Sequence, residues 1–432
     1  MKIVGRYILP GVLFLSFSPA LHALEMHYGA GLVSEYSSNS LLLPNNEEED
    51  WVNGAELDFS LTNKSKRVDT DVSGFYGYYT YAEGTEPDQG VYFLNALATI
   101  KLRPERLSWI VRDVLGEQEI NSLDADTRDN RQRVNLFITG PDLNFQVNPS
   151  NAVTIGARWA KDDYEVTKAD SKRNMLKAKW ENKRSSQLTL SANAVGMMVD
   201  YDDDDVNGDY DFGVVYLEAD TRFSKTDVVA TLGAFKVDRD KADDVDDWGA
   251  KLVLNHRKSS RTGFGWESVR KITDSTIEFL EASESGFVGG SGISGSDSSN
   301  EQGSRDLYRL TRHAAYADYE GSSILADVSL YWEERDYEEE GLFDYDEWGV
   351  GVSFSSEITA GWRGRLSTSY TNTDNTGIKR TDKDWTADIA VDHALSRYTG
   401  FSIYTGYNNR DSDDSGSEYR EWIMGATIGY HR

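Results

Sequence analysis

Apolar and polar residues alternate along short segments throughout this chain. The clearest example, between 92 and 102, carries an apolar residue at every second position: Tyr92, Leu94, Ala96, Ala98, Ile100 and Leu102. Successive side chains of a β-strand point to opposite faces, so a period of two places one face in an apolar medium and the other in a polar one. The pattern predicts a chain built from β-strands that each have one apolar face.

Short segments of turn-forming residues join these strands into hairpins. Leu143, Phe145 and Val147 share a face, and they are followed at 148–151 by Asn-Pro-Ser-Asn, which is typical of a tight turn. The alternation then resumes as far as Trp159. Because this unit recurs along the chain, we count about 20 strands, with about 18 as the alternative.

The first 23 residues have the pattern of a secretory signal peptide. Lys2 and Arg6 are followed by an apolar run from Tyr7 to Phe17. A small residue, Ala23, stands where cleavage is expected. A membrane anchor is the alternative, but the run is shorter than the ~20 apolar residues that span a bilayer. We therefore expect a signal peptide at 1–23 and one mature domain at 24–432.

The composition narrows the class of exported protein. There is no cysteine, which excludes a lipoprotein anchor, disulfides and thiolate metal sites. Hydrophobic residues make up 39% of the chain, yet it has 24 Tyr and 11 Trp, a balance that fits a transmembrane β-barrel. The formal charge of -28 disfavours nucleic acid as a partner, because phosphate binding needs clustered Lys and Arg.

The placement of tryptophan distinguishes a barrel from a secreted soluble sheet protein, whose strands also alternate. Tryptophans stand at predicted strand ends on the apolar face, where an aromatic girdle meets the bilayer interface. They are Trp159, Trp180, Trp248, Trp332, Trp348, Trp362 and Trp385. The predicted fold is an all-β, transmembrane, antiparallel up-and-down β-barrel in the outer membrane of a Gram-negative bacterium.

Short turns alternate with long loops, and the long loops are acidic. The acidic segments are 47–50, 124–129, 202–205, 238–247, 338–346 and 411–414. Outer-membrane barrels have short periplasmic turns and longer extracellular loops. We therefore expect both termini in the periplasm and the acidic loops outside the cell.

Two further stretches are distinctive: Leu107-Ser108-Trp109 with Asp113 downstream, and a segment that runs from 129 through Thr139-Gly140-Pro141-Asp142. Together they resemble a family of outer-membrane β-barrel porins associated with exopolysaccharide biosynthesis and the PEP-CTERM sorting system. The resemblance implies a role near polysaccharide export, with polysaccharide and periplasmic export components as partners beside outer-membrane lipid. It brings no catalytic residue. Unlike most barrels, this chain continues past its last aromatic residue, Tyr430, with His431 and Arg432.

Basic residues on the polar faces of several strands suggest a stripe along the lumen. The stripe consists of Arg112, Arg133, Arg158, Lys177, Lys179, Arg363 and Arg365. Such residues either pair with lumen carboxylates, such as Asp327, Glu333 and Asp388, or guide an anionic solute through the pore. Counting from the turns gives Arg112, Arg158 and Lys179 a similar height.

Two loops suggest further roles. The loop at 274–306 is much the longest and glycine-rich, so it is either a surface loop or a constriction folded into the lumen. Asp203, Asp205, Asn207 and Asp209 resemble the start of a calcium loop. The position of the bidentate glutamate holds Val214, and an acidic hairpin loop is the alternative.

No catalytic arrangement is legible among the histidines His27, His256, His313, His393 and His431. We expect neither an enzyme nor a cofactor. The expected function is a passage through the outer membrane, in exopolysaccharide export. The alternatives are a general diffusion porin and a non-conducting scaffold that anchors surface polysaccharide.

Overall fold

The computed structural model describes residues 24–203, 208–278, 307–338 and 341–432. The predicted signal peptide, two of the four calcium-loop candidates (Asp205 and Asn207) and most of the 274–306 loop lie outside the described residues. Within these ranges no α-helix is both long and apolar enough to cross a bilayer.

Twenty strands account for most of the described chain, as predicted. They are β1 (Leu24–Ser37), β2 (Asp50–Lys64), β3 (Val68–Tyr81), β4 (Gln89–Arg103), β5 (Leu107–Glu119), β6 (Arg131–Asn148), β7 (Asn151–Tyr164), β8 (Ser171–Lys183), β9 (Leu188–Tyr201), β10 (Tyr210–Arg222), β11 (Thr226–Arg239), β12 (Val245–Arg257), β13 (Thr262–Thr273), β14 (Tyr308–Glu320), β15 (Ile324–Tyr337), β16 (Tyr345–Thr359), β17 (Trp362–Asn375), β18 (Arg380–Ala394), β19 (Thr399–Ser412) and β20 (Tyr419–His431). Two 3₁₀ turns, Arg128–Asn130 and Gly341–Phe343, lie in loops.

Each strand pairs antiparallel with the next, and β20 pairs with β1 from Gly29–His431 to Ser37–Ile423. The sheet is therefore closed into a barrel, in which each strand has a neighbour on both sides over most of its length. The outer face carries exposed apolar side chains such as Leu32 (61%), Leu176 (67%) and Leu217 (67%). In a closed barrel the backbone N–H and C=O groups within the lipid are hydrogen-bonded to neighbouring strands, and an apolar outer band faces the lipid tails. This protein is therefore an outer-membrane β-barrel, as predicted.

The inner face changes character along the strands. At the short-turn end, which we assign to the periplasm, inward side chains such as Asp327, Arg363 and Arg365 are exposed to the lumen. At the long-loop end, inward residues of the same or neighbouring strands are buried, among them Glu333 (4%) and Arg380 (8%). The lumen is thus an open vestibule at its periplasmic end and is covered by protein at its extracellular end.

Two interruptions of the sheet explain where the covering segments come from. Pairing between β4 and β5 stops at Leu94–Leu115, and pairing between β12 and β13 stops at Ala250–Arg270. Beyond these points β5 and β13 remain attached to the sheet on one side only. The chain that follows each of these two strands then turns into the lumen.

Candidate functional site in the lumen

The loop between β5 and β6, residues 120–130, is held in a compact shape by its own amide side chains. The Asn130 side chain donates to the Asn121 carbonyl (2.8 Å) and to the Ala125 carbonyl (3.2 Å), and it accepts from the Asn121 backbone N–H (2.9 Å). Leu123 N–H donates to the Asn121 side chain. These bonds satisfy the loop's backbone from within, so it can leave the wall without unpaired polar groups.

This segment, which we call the crossing loop, reaches the opposite part of the wall. Arg380 of β18 donates to the Leu123 carbonyl at 2.7 Å, and the same guanidinium contacts Asp382 (2.8 Å) and the Ser417 hydroxyl (3.2 Å). β18 lies seven strands away from β5 around the barrel by the shorter route. The crossing loop therefore spans the lumen and covers part of its extracellular end.

A second segment enters the lumen after β13. Residues 274–278, which we call the inserted segment, begin a helical turn in which Asp274 accepts from the Ile277 N–H at 2.8 Å. Asp274 binds the Arg173 guanidinium of β8 at 2.5 Å and accepts a short hydrogen bond from the Tyr210 hydroxyl of β10. The inserted segment is thereby fixed to the inner wall.

The attachment is a buried network of polar groups. Arg173 also binds Asp162 of β7 at 3.1 Å, and the Thr276 hydroxyl donates to the same carboxylate at 3.1 Å. Asp162, Arg173 and Asp274 are each at most 4% exposed. Burial raises the pKa of the Asp274 carboxyl, but the Arg173 guanidinium and the Tyr210 hydroxyl outweigh it and hold that pKa below its ordinary value. The carboxylate therefore stays charged, and its attraction for Arg173 secures the segment.

Apolar side chains complete the covering of this wall. Below the inserted segment lies a buried cluster on the inner face of β9–β12: Met197, Val199, Tyr201, Tyr210, Phe212, Val214, Val237 and Val245. Ile272 and Leu307 belong to the same cluster, and Ile277 packs against it. The described beginning of the 274–306 loop is a lumen element, whereas residues 279–306 lie outside the described chain.

The structure brings part of the predicted basic stripe together. Arg158 binds Asp142 at 2.7 Å, and Lys177 approaches the same carboxylate at 3.4 Å. Arg112, Arg158 and Lys179 all point into the lumen. The strand register does not align them: Arg112 is level with Ala160, two residues from Arg158, and Lys179 is level with Thr154, four residues on the other side of Arg158. Lys179 pairs with Glu181 at 3.4 Å. On the far wall, Arg363 and Arg365 line the periplasmic vestibule, and Arg365 binds Asp392 at 2.7 Å.

Arg133 lies on the outer face, which corrects its placement in the stripe. Its guanidinium binds Glu165 at 2.7 Å and stands 5.5 Å from the centre of the outward Tyr92 ring. The neighbouring Val134 and Leu136 point inward and are buried. At the covered end of the barrel the inner face is apolar too, so hydrophobicity does not mark the lipid side there.

An acidic wall lies beside the basic one and was largely missed from the sequence. The inward carboxylates of the wall that runs from β18 through β20 and β1 to β3 include Asp384, Asp388, Asp392, Glu421, Glu35, Glu56, Asp58, Asp69 and Asp71. The signal was present as acidic residues opposite the apolar positions of β2 and β3. Several carboxylates accept from tyrosine hydroxyls, as in Tyr404–Glu35 (2.6 Å) and Tyr79–Glu56 (2.8 Å).

The candidate calcium loop is only partly described. Asp203 pairs with Lys168 at 2.8 Å, and Asp209 accepts from the Tyr201 N–H at 2.8 Å. Within the described ranges no group of three or more His, Cys, Asp or Glu side chains is arranged to hold a metal. With Asp205 and Asn207 outside those ranges, the calcium site stays a prediction.

Comparison with known proteins gives remote likenesses. No family model matches the chain, and no curated protein does. The siderophore receptor PirA from Pseudomonas aeruginosa is 8% identical, with 93% of this chain and 80% of that chain covered and a TM-score of 0.48. The outer membrane protein OpdK from the same species is 13% identical, with 94% and 99% covered and a TM-score of 0.36.

A third solved structure, OccAB4 from Acinetobacter baumannii, is 11% identical, with 95% of this chain and 98% of that chain covered and a TM-score of 0.39. At these identities and TM-scores the likenesses say nothing about what passes through the barrel. The fold assignment rests on the strand pairing, and the function has to be argued from the lumen.

Proposed function

We propose that this barrel is an outer-membrane passage that is open toward the periplasm and narrowed at its extracellular end by the crossing loop and the inserted segment. The observation that carries the proposal is the change in burial along the inner face. Inward residues near the periplasm, such as Asp327 and Ser329, face open space, whereas inward residues near the outside are covered. A passage with such a covering opens when a covering segment moves.

We propose further that the solute is a hydroxyl-rich chain, in line with the resemblance to barrels of exopolysaccharide systems. Tyrosine–carboxylate pairs recur around the lumen, and Tyr331 donating to Glu347 at 2.7 Å is a third example. A sugar hydroxyl can replace the phenol as donor to such a carboxylate, while the ring offers an apolar face. The open vestibule faces the compartment from which periplasmic export components would deliver the chain.

A non-conducting scaffold is the second candidate, and the covered extracellular end favours it. A general diffusion porin is less well supported, because such a pore needs a lumen that stays open along its whole length. Conductance separates these possibilities. A scaffold conducts neither as the native protein nor after the covering is loosened, whereas a passage gains conductance when a covering contact is removed.

The test is Arg380→Lys in planar-bilayer recordings of the purified barrel. Lysine keeps the charge that the buried Asp382 needs, but it lacks the planar fork that also reaches Leu123 and Ser417. We expect the variant to open more often or to a larger conductance than the native barrel. The matched control is Arg365→Lys in the vestibule, which also loses a bidentate contact and should leave conductance unchanged.

Three outcomes distinguish the candidates. No conductance in any variant identifies a scaffold, and full conductance in the native barrel that Arg380→Lys does not change identifies a diffusion porin. For a passage, a soluble polysaccharide added on the periplasmic side should reduce the current of the Arg380→Lys barrel more than the same polysaccharide added outside. Equal block from both sides would refute the export direction.

A further inference from the structure

The outer face of β8–β12 differs from the rest of the barrel surface. A concave groove of about 990 Å³ lies there, between projecting side chains that include Leu176, Val215 and Trp248. Its floor is formed by small outward residues: Ala178, Ala194, Gly196, Gly213 and Ala234. A second depression of about 480 Å³ continues the groove toward the periplasm over Ala192 and Leu217.

The two glycines at the centre of the groove are not required by the fold. Gly196 and Gly213 face each other across β9 and β10, and neither has a positive φ. A Cβ on Gly196 would meet nothing within 4 Å, and one on Gly213 would meet a single carbonyl at 3.8 Å. Inward glycines such as Gly265 differ, because a Cβ there would strike the Tyr316 ring at 2.2 Å.

Glycine within a strand weakens it and often marks a place where another backbone approaches. Within the part of the chain that the structure describes, only the Lys236 carbonyl comes within 4 Å of either added Cβ, so these residues do not supply the close approach that two facing glycines permit. In membranes, small residues at an interface let two proteins come into close contact. The groove therefore has the composition of a protein-contact surface.

The three central strands of this sector lack outward aromatic side chains along their described lengths, and the aromatic residue nearest to them is Phe223, 57% exposed in the short turn between β10 and β11. Among the described residues, every strand has an outward Trp, Tyr or Phe except β9, β10 and β11. The outward positions there hold residues such as Met198, Val215 and Leu232, all more than half exposed. Aromatic belts anchor a barrel where its wall meets the lipid headgroups. Their loss from three adjacent strands indicates that protein replaces lipid along this sector.

We propose that the outer face of β8–β12 binds a second copy of this chain. Five strands spaced about 4.8 Å apart, over an apolar band about 25 Å tall, offer about 600 Å² per copy. A pair of such surfaces buries about 1,200 Å², which reaches the size of a stable interface. The face also carries both projections, such as Leu176 and Leu217, and recesses at Gly196 and Gly213, as a surface that meets its own copy requires.

The test compares Gly196→Leu with Gly213→Leu, and both with Ala426→Leu as control. Ala426 is exposed on the outer face of β20, diametrically opposite β10. We expect the native protein and Ala426→Leu to be oligomers by native mass spectrometry of the extracted, folded barrels. Each glycine variant should be a folded monomer, because the added side chain has room within its own barrel but blocks the partner.

Cross-linking in native outer membranes decides the matter even if a glycine variant does not fold. The chain has no cysteine, so Ala194→Cys and Ala426→Cys each introduce a single thiol. A bismaleimide should link Ala194→Cys barrels to one another and leave Ala426→Cys barrels single. Equal or absent linking would overturn the proposal. So would a monomeric native barrel whose bound lipid is lost in Gly196→Leu, since the groove would then be a lipid site.

Discussion

At the scale of single residues, the charge of the lumen depends on which carboxylate each base meets. Asp142 is 14% exposed and forms ion pairs with two cations, Arg158 and Lys177, so that one positive charge of the three groups remains. Opposite charges this close interact by about 4 kcal/mol at an effective dielectric of about 20. The positive charge of the basic stripe is thus partly compensated, and its net charge in this part of the lumen depends on the Asp142 carboxylate.

We predict that Asp142→Asn shifts the ion selectivity of the channel toward anions, because it leaves Arg158 and Lys177 without their shared counter-ion. The shift should be visible in reversal potentials at low salt and should shrink at molar salt, where charges are screened over about 3 Å. The control is Glu165→Gln, which removes the partner of the outward Arg133 and should leave selectivity unchanged. An unaltered reversal potential in Asp142→Asn would place this cluster away from the ion path.

The sequence predicts the alternation of these residues but not always which face is the lumen. The sequence predicts that Arg112, Arg158 and Lys177 face the lumen because their neighbours on the other face of each strand are apolar. That criterion fails for Arg133, since Val134 and Leu136 on one face and Phe137 on the other are all apolar. The inner face there is covered by protein, and such covering depends on contacts between residues far apart in the chain.

At the scale of elements, the two covering segments differ in how far the sequence reveals them. The 274–306 loop stands out by its length, and its described beginning does enter the lumen. The crossing loop has the acidic, polar composition of a surface loop, so the sequence predicts that its segment 124–129 is extracellular. What sends it inward is the early end of the β4–β5 pairing and the distant Arg380, neither of which is visible in local sequence.

Acid should release the inserted segment, and the pKa of Asp274 determines the pH at which this occurs. Because the pKa of Asp274 is held below its ordinary value of 3.8, its ionic contribution is fully present above that value and is lost as the pH falls through the lowered pKa. We therefore predict that conductance rises as the pH falls below about 4, where Asp274 loses its charge. Recordings across this pH range measure the effect.

Asp274→Asn is the matched variant for this prediction. It keeps the side-chain oxygen that accepts from the Ile277 N–H but removes the charge that Arg173 binds. Removing one partner of a buried ion pair costs about 3–5 kcal/mol, so the variant should conduct at neutral pH as the native barrel does in acid. A native barrel whose conductance is the same at pH values above and below the transition would show that this contact does not hold the covering in place.

At the scale of the whole molecule, the strand count and barrel closure could be predicted because they depend on a pattern repeated twenty times. A wrong boundary for one strand changes the predicted strand count and closure little, because the strands on both sides of it show the same alternation. The covering of the extracellular end depends on single contacts such as Arg380–Leu123, and such contacts cannot be predicted from a repeated pattern. The acidic loops and the formal charge of -28 set the field outside the barrel and fix no contact within it.

The orientation of the barrel follows from its unequal ends and can be tested with single cysteines, since the chain has none. Asp243 lies in the loop between β11 and β12, and Lys258 lies in the short turn between β12 and β13; both are exposed. Because short turns face the periplasm, we predict that a membrane-impermeant maleimide labels Asp243→Cys on intact cells and leaves Lys258→Cys unlabelled. Both should react after the outer membrane is permeabilised, which controls for thiol accessibility. Labelling of Lys258→Cys alone on intact cells would invert the barrel, and the open vestibule would then face the outside of the cell.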